Sequence, residues 1–179
     1  KDVYHLKRKS PIKLKKKDKI LCAKFRKGHF EGVIDVIERL TRIIKPQKIY
    51  FGEKDFQQLY LVKKYYPKKY NVKIISCPTI RNRNKLALSS RNKLLTKNQL
   101  TKAEKISKKI FLFKKRIYEN KNINKLIYKQ KRILTNLFNI KFDYLELRNK
   151  SNLQASNKVK NSKLFVAYYI NKVRLIDNF

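Results

Sequence analysis

A chain of 179 residues, 42% of them hydrophobic, can hold one domain or two small ones with a packed core. No apolar run approaches the length of a membrane helix, no signal-peptide core opens the chain, and Cys22 and Cys77 lack C-x-x-C or metal-ligand spacing; a soluble, cytoplasmic protein with two reduced core thiols is expected. A balance of 48 Lys plus Arg against 12 Asp plus Glu gives a net charge of +36, which ordinarily points to nucleic acid, yet the lysines run from Lys1 to Lys172 with no single basic arm and read as solvated surface with some steering of anions.

Residues 1 to 20 are polar and basic, and read as an irregular or strand-containing segment. From Phe30 to Ile44 the residues Val33, Ile34, Ile37, Leu40 and Ile44 recur at helical spacing, and Pro46 stops the helix. A strand at 48 to 51, a helix through about Tyr66, the Pro67 break and a strand at 72 to 77 follow. This β-α-β pattern predicts a parallel sheet with a right-handed crossover, half of a Rossmann-like domain. Thr96 to Gln99 fits a capping box, and Ala103, Ile106, Ile110, Phe113 and Ile117 define the face of the helix it opens. A second helix near Ile123 to Phe138 leads to strand candidates at 142 to 147, 164 to 170 and 173 to 176. The expected class is α/β: a partial Rossmann-like nucleotide-binding domain over residues 1–95, then a small α/β C-terminal domain over 96–179.

Two motifs carry chemistry. In Phe51-Gly52-Glu53-Lys54-Asp55-Phe56-Gln57-Gln58, a glycine, a cation and a carboxylate sit where a strand ends and a helix begins, the place where open α/β sheets gather ligands and free N–H groups meet anions. Lys54 can reach a phosphate and Asp55 can accept from the two hydroxyls of a sugar. The plainer alternative is that Glu53 and Asp55 only favour the helix dipole. In Lys85-Leu86-Ala87-Leu88-Ser89-Ser90-Arg91-Asn92, two hydroxyls and a guanidinium suit phosphate oxygens, against the alternative of a serine helix cap. His29 can titrate near neutral pH and contact a substrate carboxylate, or it can organise its loop or a dimer contact. Tyr65, Tyr66, Tyr168 and Tyr169 read as core or rim.

These two strings, together with Phe25-Arg26-Lys27-Gly28-His29-Phe30-Glu31-Gly32-Val33, Asp143-Tyr144-Leu145-Glu146-Leu147 and Arg174-Leu175-Ile176-Asp177-Asn178, resemble the pantoate-β-alanine ligase family over nearly the whole chain. The resemblance implies an enzyme of the nucleotidylyltransferase superfamily that uses ATP and magnesium to join pantoate to β-alanine through a pantoyl adenylate. It implies that Gly52, Glu53, Lys54 and Asp55 line ATP and that Gln58 binds pantoate. Ile80 would pack near the adenine, and Leu88, Ser89, Ser90 and Arg91 would close over the nucleotide. Lys54, Ser89, Ser90 and Arg91 carry the catalytic assignment, and no protein metal ligand is expected. A homodimer through the nucleotide domain, a C-terminal domain that closes over the site, and neither membrane nor specific nucleic acid as partner complete the implication. A non-catalytic, basic RNA-binding protein descended from the same fold is the alternative.

The chain departs from the family pattern in three places. Asn84 and Lys85 stand where an acidic residue and glycine are usual, and Lys27 replaces a proline, which bears on loop geometry more than on ligands. The histidine-containing signature expected early in the family is absent, the only histidines being His5 and His29. With no Met anywhere and Lys at position 1, the sequence is expected to be a C-terminal fragment whose upstream part carries those histidines.

Overall fold

The computed structural model of the chain describes residues 12–117 and 122–179. The expectation for residues 1 to 20 therefore falls partly outside the described residues; from 12 onward that segment is irregular apart from a 3-10 turn at Lys16–Asp18. The chain forms two compact units, Lys1–Pro78 and Thr79–Phe179.

In the first unit, α1 (Cys22–Phe25) is a single turn and α2 (His29–Ile44) is the long helix predicted from its apolar spacing. Phe30, Ile34, Glu38 and Thr41 form its buried stripe, at the three- and four-residue intervals that put side chains on one face. Gly28 precedes it at φ 74°, a left-handed conformation that glycine adopts without penalty. Lys45 ends it, also left-handed, with its N–H on the Thr41 carbonyl at 2.8 Å, ahead of Pro46.

Strand β1 (Lys48–Gly52) pairs in parallel with β2 (Lys73–Cys77), and α3 (Phe56–Tyr65) makes the crossover between them. Leu59, Leu61 and Val62 are buried, and the Tyr66 hydroxyl donates to Thr41 Oγ1 at 2.6 Å, joining the end of α3 to α2. Asp18 is buried against α3, accepting from Lys64 Nζ at 2.8 Å and from the Tyr65 hydroxyl. This is the parallel β-α-β arrangement read from the sequence.

In the second unit, α4 (Lys97–Arg116) opens with the predicted capping box: Thr96 Oγ1 accepts from Gln99 N at 3.3 Å and Gln99 Oε1 accepts from Thr96 N at 3.0 Å. With α5 (Ile123–Phe138) it packs on an antiparallel sheet of order β3-β4-β5, formed by Lys141–Asn149, Ser162–Ile170 and Val173–Asn178. One core joins Ala103, Ile106, Ile110 and Phe113 of α4 to Leu134 of α5 and to Leu145, Leu164, Val166 and Tyr168 of the sheet. Tyr168 is almost fully buried, a core role rather than a stacking platform. A register shift between Phe142 and Tyr144 turns Asp143 out of the ladder, where it accepts from Arg174 Nε at 2.7 Å.

Residues 79–95, assigned by sequence to the first domain, pack with the second unit, and Leu86 is part of its core. The capping box at Thr96 marks the start of α4, whereas the tertiary contacts divide the chain after Pro78. Among the described residues no helix is long and apolar enough to cross a membrane. Both cysteines are free thiols, Cys22 buried and Cys77 half-buried.

Candidate functional site

The first motif occupies the carboxyl end of β1. Gly52 is the last strand residue, Glu53–Asp55 form a 3-10 turn and α3 begins at Phe56. Gly52 has an extended backbone (φ −68°, ψ 132°), and a Cβ built on it would meet nothing within 4 Å. Neither its own conformation nor its neighbours demand glycine, so a space stands open above the strand end. Lys54 Nζ lies 3.6 Å from Asp55 Oδ1, a long ion pair in which the Asp55 side chain is 48% exposed and the Lys54 side chain 19%.

The two adjacent glutamines separate by one residue's rotation about α3. Gln57 is buried and structural: its Oε1 accepts from Cys22 N at 2.9 Å and its Nε2 donates to the Ile20 carbonyl at 2.6 Å. It thereby braces Leu21, whose φ of 49° is unusual for a γ-branched residue. Gln58 instead lines an open concavity of about 480 Å3 with Gly28, His29 and Gly32 at the start of α2, Val33, Val36 and Ile37 further along it, and Phe51 of β1. The lining is apolar except for the Gln58 amide and the His29 imidazole. His29 thus stands beside the residue assigned to the acid substrate; of its two sequence readings, the ligand-facing one gains this neighbour.

The second motif emerges from a short hairpin in the second unit. Arg81 bridges Ala87, Asn82 N donates to the Leu86 carbonyl and Leu88 N to the Ile80 carbonyl, both at 3.0 Å. The turn closes at Lys85, whose φ of 69° is left-handed, the conformation for which glycine is usual at this position. Ser89 caps the 3-10 helix Ser90–Leu94, its Oγ accepting from Arg91 N at 3.3 Å, so the plainer sequence reading holds for that serine. Ser90 is exposed, and Arg91, half-buried, donates from Nη1 to the Arg174 carbonyl at 3.2 Å. Ile80 and Leu88 are 71% and 56% exposed, large apolar side chains held out in solvent beside the phosphate-type donors.

The structure therefore gathers Gly52, Glu53, Lys54, Asp55 and Gln58 around one strand end in the first unit. It gathers Ile80, Leu88, Ser89, Ser90 and Arg91 on one hairpin and its exit in the second. Residue-level reading of the motifs omitted Arg81, which anchors that hairpin, and the lining role of Val33 and Ile37, which were read only for their helical spacing, and of Val36, all three on one helical face with His29. Among the described residues no group of three His, Cys, Asp or Glu side chains is placed to hold a metal ion.

Residues 1–179 match the family model described as pantoate-beta-alanine ligase. A pantothenate synthetase of Flavobacterium psychrophilum is 38% identical over 159 residues, 87% of this chain and 56% of that protein. One from Francisella tularensis subsp. mediasiatica is 42% identical over 166 residues, 89% of this chain and 53% of that protein. The crystal structure of pantothenate synthetase from Thermus thermophilus superposes with a TM-score of 0.82 at 27% identity, covering 96% of this chain and 65% of that one. The pantoate-beta-alanine ligase of Francisella tularensis, solved in complex with beta-gamma ATP and beta-alanine, superposes with a TM-score of 0.70 at 36% identity, covering 94% and 57%. The chain spans a little over half the length of the curated relatives it matches.

Proposed function

The chain belongs to the pantoate-β-alanine ligase family, and on that premise we propose that its protein condenses pantoate with β-alanine at the expense of ATP, through a pantoyl adenylate. A pantoate carboxylate oxygen attacks the α-phosphorus of ATP, the bond from that phosphorus to the bridging oxygen breaks, and pyrophosphate leaves with the electron pair. The β-alanine amine then attacks the acyl carbon, AMP leaves with its oxygen, and the nitrogen sheds a proton to give the amide.

The observation that carries this reading is the concavity beside the first motif. Pantoate is a short acid whose central carbon bears two methyl groups between two hydroxyl-bearing carbons. Val33, Val36, Ile37 and Phe51 offer the methyl groups an apolar wall, and the Gln58 amide can donate to and accept from the polar groups. Immediately beyond, Gly52 leaves room for a nucleotide to approach the backbone, Lys54 can meet a phosphate and Asp55 the ribose hydroxyls. Ser89, Ser90 and Arg91 supply further donors, and Ile80 and Leu88 an apolar contact for the base. Charge builds on phosphate oxygens as pyrophosphate departs, so Lys54 and Arg91, once aimed there, stabilise the transition state more than the ground state.

Magnesium would enter on the phosphates of ATP, whose oxygens and waters are its ordinary ligands, with no side chain of this chain assigned to hold it. The ion would add charge neutralisation at the phosphates. We read the working protein as a homodimer formed through the nucleotide-binding domain, acting in the cytoplasm where ATP is abundant.

The test is direct. The protein as its gene encodes it, given ATP, magnesium, pantoate and β-alanine, should form pantothenate and AMP in equal amounts, and neither when pantoate is left out. ATP consumed to ADP, or no amide under any of these conditions, would overturn the reading.

A further inference from the structure

Resting on the nucleotide reading above, we propose that Arg81 and Asp177 are positioning residues for adenylate formation: together they fix the hairpin that presents Ser89, Ser90 and Arg91 to the phosphates. Arg81 Nη1 donates to Asp177 Oδ2 at 2.7 Å and Nη2 to Oδ1 at 2.8 Å, a two-point grip across 96 residues of sequence. The same nitrogens donate to the Lys85 carbonyl and the Asn178 carbonyl, each at 2.8 Å, and the guanidinium lies over the Phe179 ring at 4.4 Å. The side chains are 16% and 6% exposed. With its donors committed in this way, Arg81 is not a phosphate ligand; its charge is already answered.

What the grip fixes is the chain that follows. Contact with the Lys85 carbonyl closes the turn whose return arm is Leu86 to Leu88, and that arm bonds back to Ile80 and Asn82. Asn92 Nδ2 then donates to the Ala87 carbonyl at 3.0 Å, and Arg91 to the Arg174 carbonyl, so strand β5 holds the segment at both ends. Arg174 is itself held by Asp143. A buried ion pair is a poor way to gain stability alone, because desolvation offsets the attraction. A planar two-point pair is a good way to set direction, since both partners must lie in one plane at one distance. The serines and Arg91 need that precision, because transfer rates fall steeply with misplacement of a catalytic group.

Two variants test this, Arg81→Lys, which keeps the charge and loses the fork, and Asp177→Asn, which keeps the shape and loses the charge. In hydrogen-deuterium exchange on the full protein, the amides of Asn82, Leu88 and Asn92 should exchange roughly ten-fold faster or more in either variant, while those of Leu164 and Val166 in β4 stay at the unaltered rate. In pantoate-dependent exchange of pyrophosphate into ATP, kcat should fall about 10- to 100-fold with the KM for pantoate unchanged. Unaltered amide rates in the hairpin, an equal rise through β4, or a loosened hairpin with full kcat would each overturn the positioning role. Absence of exchange activity in the unaltered protein would count against the ligase reading alone, because the amide rates judge the anchoring of the loop independently.

Discussion

Asn84 donates from Nδ2 to Glu104 Oε2 at 2.8 Å, and Asn82 donates to the other oxygen of the same carboxylate at 2.6 Å. One acidic residue of α4 thus receives both amides of the turn before the second motif. An acidic residue is usual in the family at the position of Asn84, and here it would place two carboxylates against each other. Asn84→Asp should therefore cost about 1 kcal/mol, the value of one lost hydrogen bond with some repulsion, in urea unfolding. Adding Glu104→Gln should recover most of it; a destabilisation unchanged in the double variant would show that the two side chains are not coupled.

Lys85 occupies the next departure, left-handed at φ 69° with its ammonium 5.3 Å from the Phe111 ring centre. Lysine in that conformation carries a penalty of about 1 kcal/mol that glycine avoids, and the ring contact returns about 0.5 kcal/mol. Lys85→Gly should raise stability by a few tenths of a kcal/mol, roughly the difference of those two, read as a higher urea midpoint at unchanged slope. A lower midpoint would mean that the contact with Phe111 outweighs the backbone.

At Gly52 stability and binding should move apart. Its extended backbone accepts alanine, and nothing stands within 4 Å of the added carbon, so Gly52→Ala should keep or raise stability, by up to about 1 kcal/mol through the unfolded chain. ATP affinity, measured by calorimetry, should fall about ten-fold, since one methyl group stands where the nucleotide meets the strand end. Unchanged affinity would place the nucleotide elsewhere.

Two carboxylates make the first unit sensitive to acid. Burial pushes Asp18 up, but hydrogen bonds from Lys64 and Tyr65 outweigh it and hold the group below its ordinary value. Glu38 is likewise pushed up by burial and drawn lower, on balance, by Tyr70, Arg42 and Lys69. A folded-state value below the unfolded one means that the stabilisation is complete above the unfolded values of about 4 and is lost as pH falls through the lowered ones. Unfolding free energy measured from pH 6 to pH 2 should therefore decline on the acid side, and Asp18→Asn should flatten that decline while lowering stability at neutral pH. An acid limb identical in the variant would contradict the role of Asp18.

Much of this architecture was legible because it is local. The stripe of α2, the Thr96 box and the β-α-β order each depend on residues within a few positions of one another, and each stands where periodicity placed it. The boundary drawn near residue 95 follows the start of α4, whereas what packs residues 79–95 with the second unit is tertiary: Leu86 enters its core and Arg81 reaches Asp177. The same limit hid Arg81, one basic residue among many until its partner arrives 96 positions later. Gln57 and Gln58 are identical in type and adjacent, and only the rotation of α3 separates the brace from the lining residue. For Ser89 the structure shows the capping role, its Oγ accepting from Arg91 N at the start of a 3-10 turn, and contact with phosphate belongs to the proposal.

The central proposal is that each motif contributes to adenylate formation, and pantoate-dependent exchange of pyrophosphate into ATP isolates that half of the chemistry from amine attack. In the protein as its gene encodes it, Lys54→Ala and Arg91→Ala should each lower kcat for exchange by about 100-fold or more, as expected for lost charge stabilisation at the phosphates. Gln58→Ala should instead raise the KM for pantoate about ten-fold, the effect of removing a hydrogen bond in the acid pocket. Exchange at the unaltered rate in the Lys54 and Arg91 variants, or exchange that proceeds without pantoate, would contradict the account.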